Sequence, residues 1–376
     1  MQLFKRSGTL ISGGVAASFL LFGCQSTKDG LVDSPEVAPI ATEPVDLVSE
    51  VPSEDDIVKS KDAELRELEE ALLEQAKPRA EEARSLEEQA DRYGIEIVRL
   101  DETKHWKLSK GGRVLLLKEE SRVAVLDGVK VFLDTPLKRV RGKWLLGASD
   151  ERVLLDAVFG VRSTDRASVA TIVLDPGHGG TEDGTKNEAL GVLEKDMNLD
   201  VSLRLKGHLE KLGFKVVMTR YDDRLVELAK RPEISNGVKA DLFLSVHFNA
   251  ALNEKANGLE TYMLTPAGHA SSSGAVAGKD AIAYPGNRYD VDNFELAFRI
   301  QKSLLDRLER EDRGVKKARF KVLKTLDCPG VLAECGFVSN ANEGLLISTA
   351  GYRERVAQAL AEAIVAYAGN PSDADS

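Results

Sequence analysis

The chain has 376 residues, enough for one sizeable domain with smaller additions, and its 43% apolar and 30% charged residues are typical of a soluble globular protein. Its net charge of −10 is uneven, because residues 25–93 sum to −12, residues 1–24 to +2 and residues 94–376 to zero. The acidity therefore belongs to the N-terminal part, and the neutral remainder argues against a nucleic-acid partner.

Residues 1–23 are predicted to be a lipoprotein signal peptide. A short positive start, MQLFKR, precedes the apolar run SGTLISGGVAASFLLF, which is too short for a membrane-spanning helix. The run ends in LFGC, which resembles the lipobox of bacterial lipoproteins, so cleavage would leave Cys24 lipidated and the chain anchored to a membrane. Gln25 follows the cysteine, and a residue other than Asp at this position resembles the pattern of lipoproteins sent to an outer membrane. We therefore expect a periplasmic protein on the outer rather than the inner membrane. An ordinary secretory signal with an incidental cysteine is the alternative.

The next two segments are predicted to hold the main body away from the membrane. Residues 24–58 are rich in Pro, Ser, Glu and Val without periodicity, which indicates a disordered acidic tether. Residues 59–93 have apolar residues at helical spacing, interrupted at Pro78, and predict a helical or coiled-coil segment. A coiled coil, a helix docked on its own domain and a solvated charged helix remain open.

Residues 94–165 predict a small β-rich module. Short β-rich runs follow one another, and AVLDGVKVFL has the Asp-Gly turn of a β-hairpin between alternating strands. The stretch LDGVKVFLDTPLKRVRGKWLL resembles the copper-amine-oxidase-type N-terminal domain found on some envelope hydrolases. A binding or spacing role is expected of the module, because it contains no constellation of metal ligands.

Residues 168–370 alternate between strand and helix patterns, which predicts an α/β domain: a mostly parallel sheet flanked by helices on both faces. Helical spacing in RLVELAKRPEISNGVKA is interrupted at Pro232. The predicted strands are TIVLDPG, FKVVMTR, DLFLSVHFNA, GLETYML and PGVLAECGF. Reactive groups are then expected at the carboxyl ends of the strands.

Four chemically capable residues stand at such positions. His178 follows a strand within DPGHGG, Glu194 opens a helix, His247 closes LFLSVH, and Glu334 ends VLAE. Two imidazoles and a carboxylate suffice for a tetrahedral zinc site with an open position, and a second carboxylate can serve as a base. Taken singly, three of these residues also have a structural explanation: a turn for His178, a buried histidine for His247 and a charge at a helix start for Glu194. Glu334 is harder to explain in this way, because a buried carboxylate needs a strong reason.

Several separated motifs change this balance. TIVLDPGHGG, Glu194-Lys195-Asp196, VVMTR, LFLSVHFNA, GLETY and AECGFVSN occur in the order seen in zinc-dependent N-acetylmuramoyl-L-alanine amidases, and residues 170–368 resemble their catalytic domain. The resemblance implies one Zn²⁺ per catalytic domain, held by His178, Glu194 and His247, with Glu334 as the catalytic glutamate. Asn249 in the SxHxN segment would line the substrate cleft.

The implied activity is hydrolysis of the amide bond between N-acetylmuramic acid and L-alanine of the peptidoglycan stem peptide. Zinc would activate the water and glutamate would act as general base, with cell-wall remodelling or daughter-cell separation as the outcome. Peptidoglycan, a membrane through the lipid anchor and other envelope proteins are the candidate partners. The alternatives are a catalytically silent peptidoglycan-binding envelope lipoprotein and a same-fold zinc hydrolase of another amide.

Two details complete these expectations. Some members of that family carry a long helical insertion that plugs the site, but residues 251–292 are rich in Ser, Gly and Ala and predict a flexible loop instead. Cys328 and Cys335 match no metal-site spacing, and both a disulfide and two buried thiols remain open.

Overall fold

The computed structural model describes residues 84–160, 169–274 and 282–369. The predicted signal peptide, Cys24, the tether 24–58 and most of the helical segment 59–93 lie outside the described residues, as does the boundary near residue 165. Among the described helices, none combines the length and the apolar character that a membrane span requires.

The N-terminal part of the described chain is a short helix followed by strands. α1 (Leu86–Tyr93) begins at a capping box formed by Ser85 and Glu88 and ends at Gly94, whose φ is +61°. An antiparallel meander follows: β1 (Glu96–Leu100), β2 (His105–Lys110), β3 (Arg113–Lys118), β4 (Val123–Leu126) and β5 (Val129–Phe132). The hairpin predicted at Asp127-Gly128 is confirmed, and both turn residues have positive φ.

A second hairpin and a helical stretch complete this part. The hairpin consists of β6 (Lys138–Val140) and β7 (Lys143–Leu145). The helical stretch consists of α2 (Ala148–Asp150), a π-helical turn (Glu151–Leu155) and α3 (Asp156–Phe159).

The remaining elements alternate between strands and helices as predicted, but the strands at residues 186–187, 192–193 and 312–318 were not predicted. The strands are β8 (Thr171–Pro176), β9 (Lys186–Asn187), β10 (Val192–Leu193), β11 (Lys215–Met218), β12 (Leu242–Asn249), β13 (Leu259–Leu264), β14 (Asp312–Ala318) and β15 (Gly330–Phe337). The helices are α4 (Glu194–Lys211), α5 (Lys230–Gly237), α6 (Asp290–Leu308), α7 (Lys321–Lys324), α8 (Ala341–Ser348) and α9 (Ala350–Ala368). Short 3₁₀ helices lie at Glu188–Leu190 and Pro285–Tyr289.

The long strands form one sheet of eleven, in the order β1-β2-β3-β4-β5-β14-β13-β15-β12-β8-β11. From β14 to β11 every neighbouring pair is parallel except β13 with β15. The predicted mostly parallel sheet is therefore confirmed for this half. The meander continues the same sheet because β5 pairs with β14.

Helices cover both faces, as predicted. Apolar side chains of α4, α6 and α9 form the larger core on one face, whereas α7 and residues beside α5 contribute to a smaller core on the other. Cys328 belongs to the smaller core and Cys335 to the larger one, and both are buried free thiols.

The predicted helix break at Pro232 is wrong. α5 begins only at Lys230, so Pro232 lies in its first turn. Proline fits there because the first amides of a helix have no acceptor within the helix and its φ suits the helical conformation.

Candidate active site

Three predicted residues meet at the carboxyl ends of β8 and β12. His178 lies in the loop after β8, His247 is near the end of β12, and Glu194 begins α4. His178 Nε2 lies 3.3 Å and His247 Nδ1 2.9 Å from the same oxygen, Glu194 Oε1. One ligand atom from each residue lies within 4.8 Å of the others, so the structure brings this part of the predicted site together.

The donor set fits a zinc ion. Imidazole nitrogen and carboxylate oxygen are the ligands that zinc accepts, and three protein ligands leave a fourth position open for chemistry. The side chains of His178 and His247 are 30% and 17% exposed, whereas that of Glu194 is buried. We call His178, Glu194 and His247 the trio. It is reachable from solvent on the side of the two histidines.

Glu194 is held as a carboxylate. Burial raises the pKa of Glu194, but its hydrogen bonds and electrostatic interactions with His178 and His247 outweigh burial and hold the pKa well below the usual range. The backbone N–H of Thr185 donates to Oε2 over 2.8 Å and that of Phe248 to Oε1 over 3.3 Å. Its place at the start of α4 adds the favourable end of the helix dipole.

Glu334 lies on the strand next to His247. β15 runs parallel to β12, and Glu334 is the register partner of His247. Its Oε2 atom is buried and has no hydrogen-bond partner within the described residues. Burial, followed by the negative charges of Glu194 and Glu260, raises the pKa of Glu334 well above its usual value. The carboxyl group is thus beside the trio and has an oxygen available to accept a proton.

Comparison with known proteins agrees with this geometry. Residues 172–366 match the family model described as N-acetylmuramoyl-L-alanine amidase (Amidase_3), more than half of the chain. The chain belongs to this family. The fold and the four clustered residues described above therefore lie in an N-acetylmuramoyl-L-alanine amidase domain.

Individual relatives cover this amidase domain. The chain is 35% identical to the amidase LytC of Bacillus subtilis over 197 residues, 52% of this chain and 35% of LytC. It is 30% identical to the amidase AmiA of Escherichia coli over 218 residues, 52% of this chain and 75% of AmiA. A solved N-acetylmuramoyl-L-alanine amidase of Clostridium difficile 630 is 28% identical and covers 56% of this chain and all of its own, with a TM-score of 0.45. The chain thus spans about a third of LytC and three quarters of AmiA.

Two glycines of the amidase domain make room for the trio. A Cβ atom at Gly177 would overlap the ring of His247, and one at Gly184 would overlap Glu194 and crowd the ring of His178. Gly184 also has a φ of +67°, which side chains rarely adopt. Any larger residue at either position must displace a candidate ligand.

Sequence reasoning missed the side chains that hold the His178 loop. The guanidinium of Arg231 donates to the carboxylate of Asp175 over 2.7 Å and to the carbonyls of Pro176 and His178 over 2.9 and 3.0 Å. Arg220 donates to the carbonyls of Pro176 and Gly177 over 3.0 and 2.8 Å. Basic residues are almost never fully buried without polar partners, so a buried arginine would have indicated such a contact. The sequence does not show that Arg220 and Arg231 are buried.

Lys195, which follows Glu194 in the sequence motif, stabilises the loop after His178. Its ammonium group contacts Asp183 over 2.8 Å, Asp223 over 2.9 Å and the carbonyl of Gly180 over 2.8 Å. The N–H of Gly180 donates in turn to Asp223 over 2.7 Å. The segment that follows His178 is therefore held at two points.

Asn249 is placed next to the site but is already engaged. Its amide nitrogen donates to Glu260, and its oxygen accepts the N–H of Ala250 over 2.7 Å. Its predicted contact with substrate stays a prediction. Within residues 251–292, the described part contains β13 and one 3₁₀ helix before α6 but no long helix, and residues 275–281 lie outside it.

Proposed function

We propose that this chain is a zinc-dependent N-acetylmuramoyl-L-alanine amidase, which hydrolyses the bond between N-acetylmuramic acid and the first L-alanine of the peptidoglycan stem peptide. The observation that carries the proposal is the convergence of His178, Glu194 and His247 on one point, with Glu334 on the adjacent strand. Membership of the amidase family supplies the substrate class.

The trio would hold the metal. His178 and His247 offer imidazole nitrogens, and the buried carboxylate of Glu194 offers a charged oxygen. Zinc bound there would supply Lewis-acid chemistry, polarising the amide carbonyl and making water a better nucleophile at neutral pH.

Glu334 would move the proton. It accepts a proton from the attacking water as the new carbon–oxygen bond forms, then returns it to the nitrogen of L-alanine as the carbon–nitrogen bond breaks. Burial and the neighbouring carboxylates raise the pKa of Glu334 above its usual value, and a carboxyl group with a raised pKa holds the transferred proton more readily. Its Oε2 atom, which has no hydrogen-bond partner among residues 84–160, 169–274 and 282–369, is available for that proton.

The cellular setting is also part of the proposal and is supported by the sequence alone. Lipidation at Cys24 would place the chain on the periplasmic side of an outer membrane, and the tether 24–58 would let the amidase domain reach the wall. Wall remodelling or separation of daughter cells would follow, with other envelope proteins as candidate partners.

Digestion of purified peptidoglycan by the full chain tests the activity. We expect soluble stem peptides that begin with L-alanine, identified by mass spectrometry, and no release after a chelator until zinc is restored. Binding to peptidoglycan without release would indicate a silent wall-binding protein instead. Release of fragments with another new amino terminus would indicate a hydrolase of a different amide.

A further inference from the structure

A row of side chains crosses the sheet from the trio towards β5. His247 and Glu334 are register partners, as are Glu334 and Glu260, so the three lie on the same face of neighbouring strands. On the next strand Lys316 forms an ion pair with Glu260, and its Nζ atom lies 5.8 Å from the ring centroid of Phe132, the last residue of β5. We call His247, Glu334, Glu260 and Lys316 the polar row, and Phe132 lies beside its far end.

The far end of the polar row carries surplus positive charge. Lys316 and Arg313 both contact Oε2 of the buried Glu260, the latter over 3.0 Å, so two cations share one carboxylate. Asn249 and Tyr262 donate to the other oxygen of Glu260. Burial raises the pKa of Glu260, but Lys316 and Arg313 outweigh burial and lower it, so Glu260 stays charged.

Both cations have capacity for a further acceptor. Their side chains are 15% and 30% exposed. An ammonium group has three N–H donors, and Glu260 is the acceptor that Lys316 contacts within the described residues. An anion arriving from solvent can therefore be bound without breaking the pair with Glu260.

The spacing matches one group of the substrate. Glu260, whose Oε2 atom both cations contact, is on β13, which lies two strand spacings from β12, roughly 10 Å. In a stem peptide the residue after L-alanine is a D-glutamate linked through its γ-carboxyl, which leaves an α-carboxylate, or a carboxamide when that group is amidated. Two extended residues span about 7 Å, so this α-carboxylate lies at similar reach from the bond that is cut.

We propose that Lys316, assisted by Arg313, binds the free α-carboxylate of the second stem-peptide residue, with Phe132 forming the wall of that subsite. The inference rests on the proposed function and adds a specificity to it: stem peptides with D-glutamate are preferred over those with D-isoglutamine. Because Phe132 is the last residue of β5, the proposal also makes the β-rich module part of the substrate cleft.

The test uses two synthetic N-acetylmuramoyl peptides that differ only in this carboxylate or carboxamide. For the full chain with zinc we expect kcat/KM to be roughly tenfold higher for the acid, which corresponds to about 1.4 kcal/mol, with most of the difference in KM. Lys316→Met brings the ratio close to one by raising KM for the acid alone. Lys206→Met, which removes a partly exposed lysine paired with Glu210 on α4, leaves the ratio unchanged.

Two outcomes overturn the inference: equal kcat/KM for both peptides with the wild-type chain, or an equal loss for both with Lys316→Met. Arg313→Gln, which should also reduce the ratio, keeps the test available if Lys316→Met fails to fold. If the wild-type chain cuts neither peptide, the proposed function fails. Calorimetric binding of the two peptides to Glu334→Gln then still decides the inference, since tighter binding of the acid supports it and equal binding refutes it.

Discussion

Glu334 differs from its neighbouring carboxylates in what its oxygens contact. Backbone donors from Thr185 and Phe248 and the two imidazoles surround Glu194, and two cations and two neutral donors surround Glu260. One oxygen of Glu334 has no such partner within the described residues. The same residue type is thus fixed as an anion at two positions and left able to accept a proton at the third.

Glu334→Gln should greatly reduce turnover and keep the metal. The amide has nearly the shape of the carboxyl group but cannot accept the proton, so we expect hydrolysis to fall roughly 100- to 10,000-fold. Stem-peptide release and zinc content measured on the same preparation check this. Glu354→Gln on α9 is the control and should keep full activity; loss of zinc or normal turnover in Glu334→Gln would remove this residue from the role of base.

Gly177→Ala should weaken metal binding by sterics alone. The new methyl group overlaps the ring of His247, while Gly177 itself has no positive φ to add strain. The control is Gly207→Ala, because nothing lies within 4 Å of a Cβ there and alanine favours the middle of α4 by about 0.5–1 kcal/mol. Zinc affinity should drop only in Gly177→Ala, and equal affinity in both variants would contradict the geometry.

At the scale of single residues, the sequence predicted the site residues that lie within recognisable motifs. Two histidines and Glu194 were found because the order of separated motifs resembled one enzyme family, and the structure brings them together. Glu260 and Lys316 were missed, because a charged residue on a strand looks solvated until its cross-strand partner is known. That partner depends on register, which no local pattern shows.

At the scale of elements, α5 and the loop after β8 act as one unit. The side chain of Arg231 reaches from the first turn of α5 to Asp175 and to the carbonyl of His178, and it is fully buried. The position of a candidate ligand therefore depends on a helix that contributes no ligand of its own.

Arg231→Met should lower both stability and metal affinity. Removing one partner of a buried ion pair leaves Asp175 uncompensated, so we expect the free energy of unfolding to fall by about 3–5 kcal/mol. Loss of the bond to His178 should weaken zinc binding roughly 10- to 100-fold, as for other residues that orient a ligand. Arg224→Met, at an exposed pair with Asp222, is the comparison and should change neither quantity measurably.

Most elements could be predicted because their apolar periodicity is local. Strands β8, β11, β12, β13 and β15 and the long helices α4, α6 and α9 follow from it, whereas β9, β10 and β14 were not predicted. The break expected at Pro232 was wrong, because a proline pattern shows only that a helix is disturbed and not whether it starts there. β13 pairs antiparallel with β15, an exception in a mostly parallel sheet that the β–α alternation did not indicate.

At the scale of the whole molecule, a buried ion cluster joins the N-terminal strands to the amidase domain. Lys317 on β14 contacts Asp134 over 2.8 Å and Asp150 over 3.2 Å, and all three side chains are buried. The pairing of β5 with β14 lies beside it. These contacts indicate that both parts unfold together.

Lys317→Met should destabilise both parts at once. Two buried carboxylates would face each other without a cation, at a cost of about 3–5 kcal/mol. Both tryptophans of the chain, Trp106 and Trp144, lie in the N-terminal part, so their fluorescence reports on that part while circular dichroism is dominated by the helices of the amidase domain. The two denaturation curves should coincide and shift together, whereas Lys302→Met, at an exposed pair, should leave them in place. Separate transitions would show two independent units.

This connection could not be predicted from the sequence. The strands from 94 onwards were predicted as a module, but β5 and β14 are separated by about half of the chain, and a single register pair joins them. Lys317 and Asp150 appear as ordinary surface charges in the sequence. Only the folded chain shows that they are buried together.

Zinc content per chain tests the central claim most directly. After dialysis against metal-free buffer, elemental analysis should find one zinc per wild-type chain and none in His178→Ala. His208→Ala is the matched control, because His208 pairs with Glu354 over 2.7 Å on the helices and not with the trio, and it should keep its zinc. Retention of zinc by His178→Ala, or no zinc in the wild-type chain after reloading, would contradict the assignment of His178, Glu194 and His247 as one metal site.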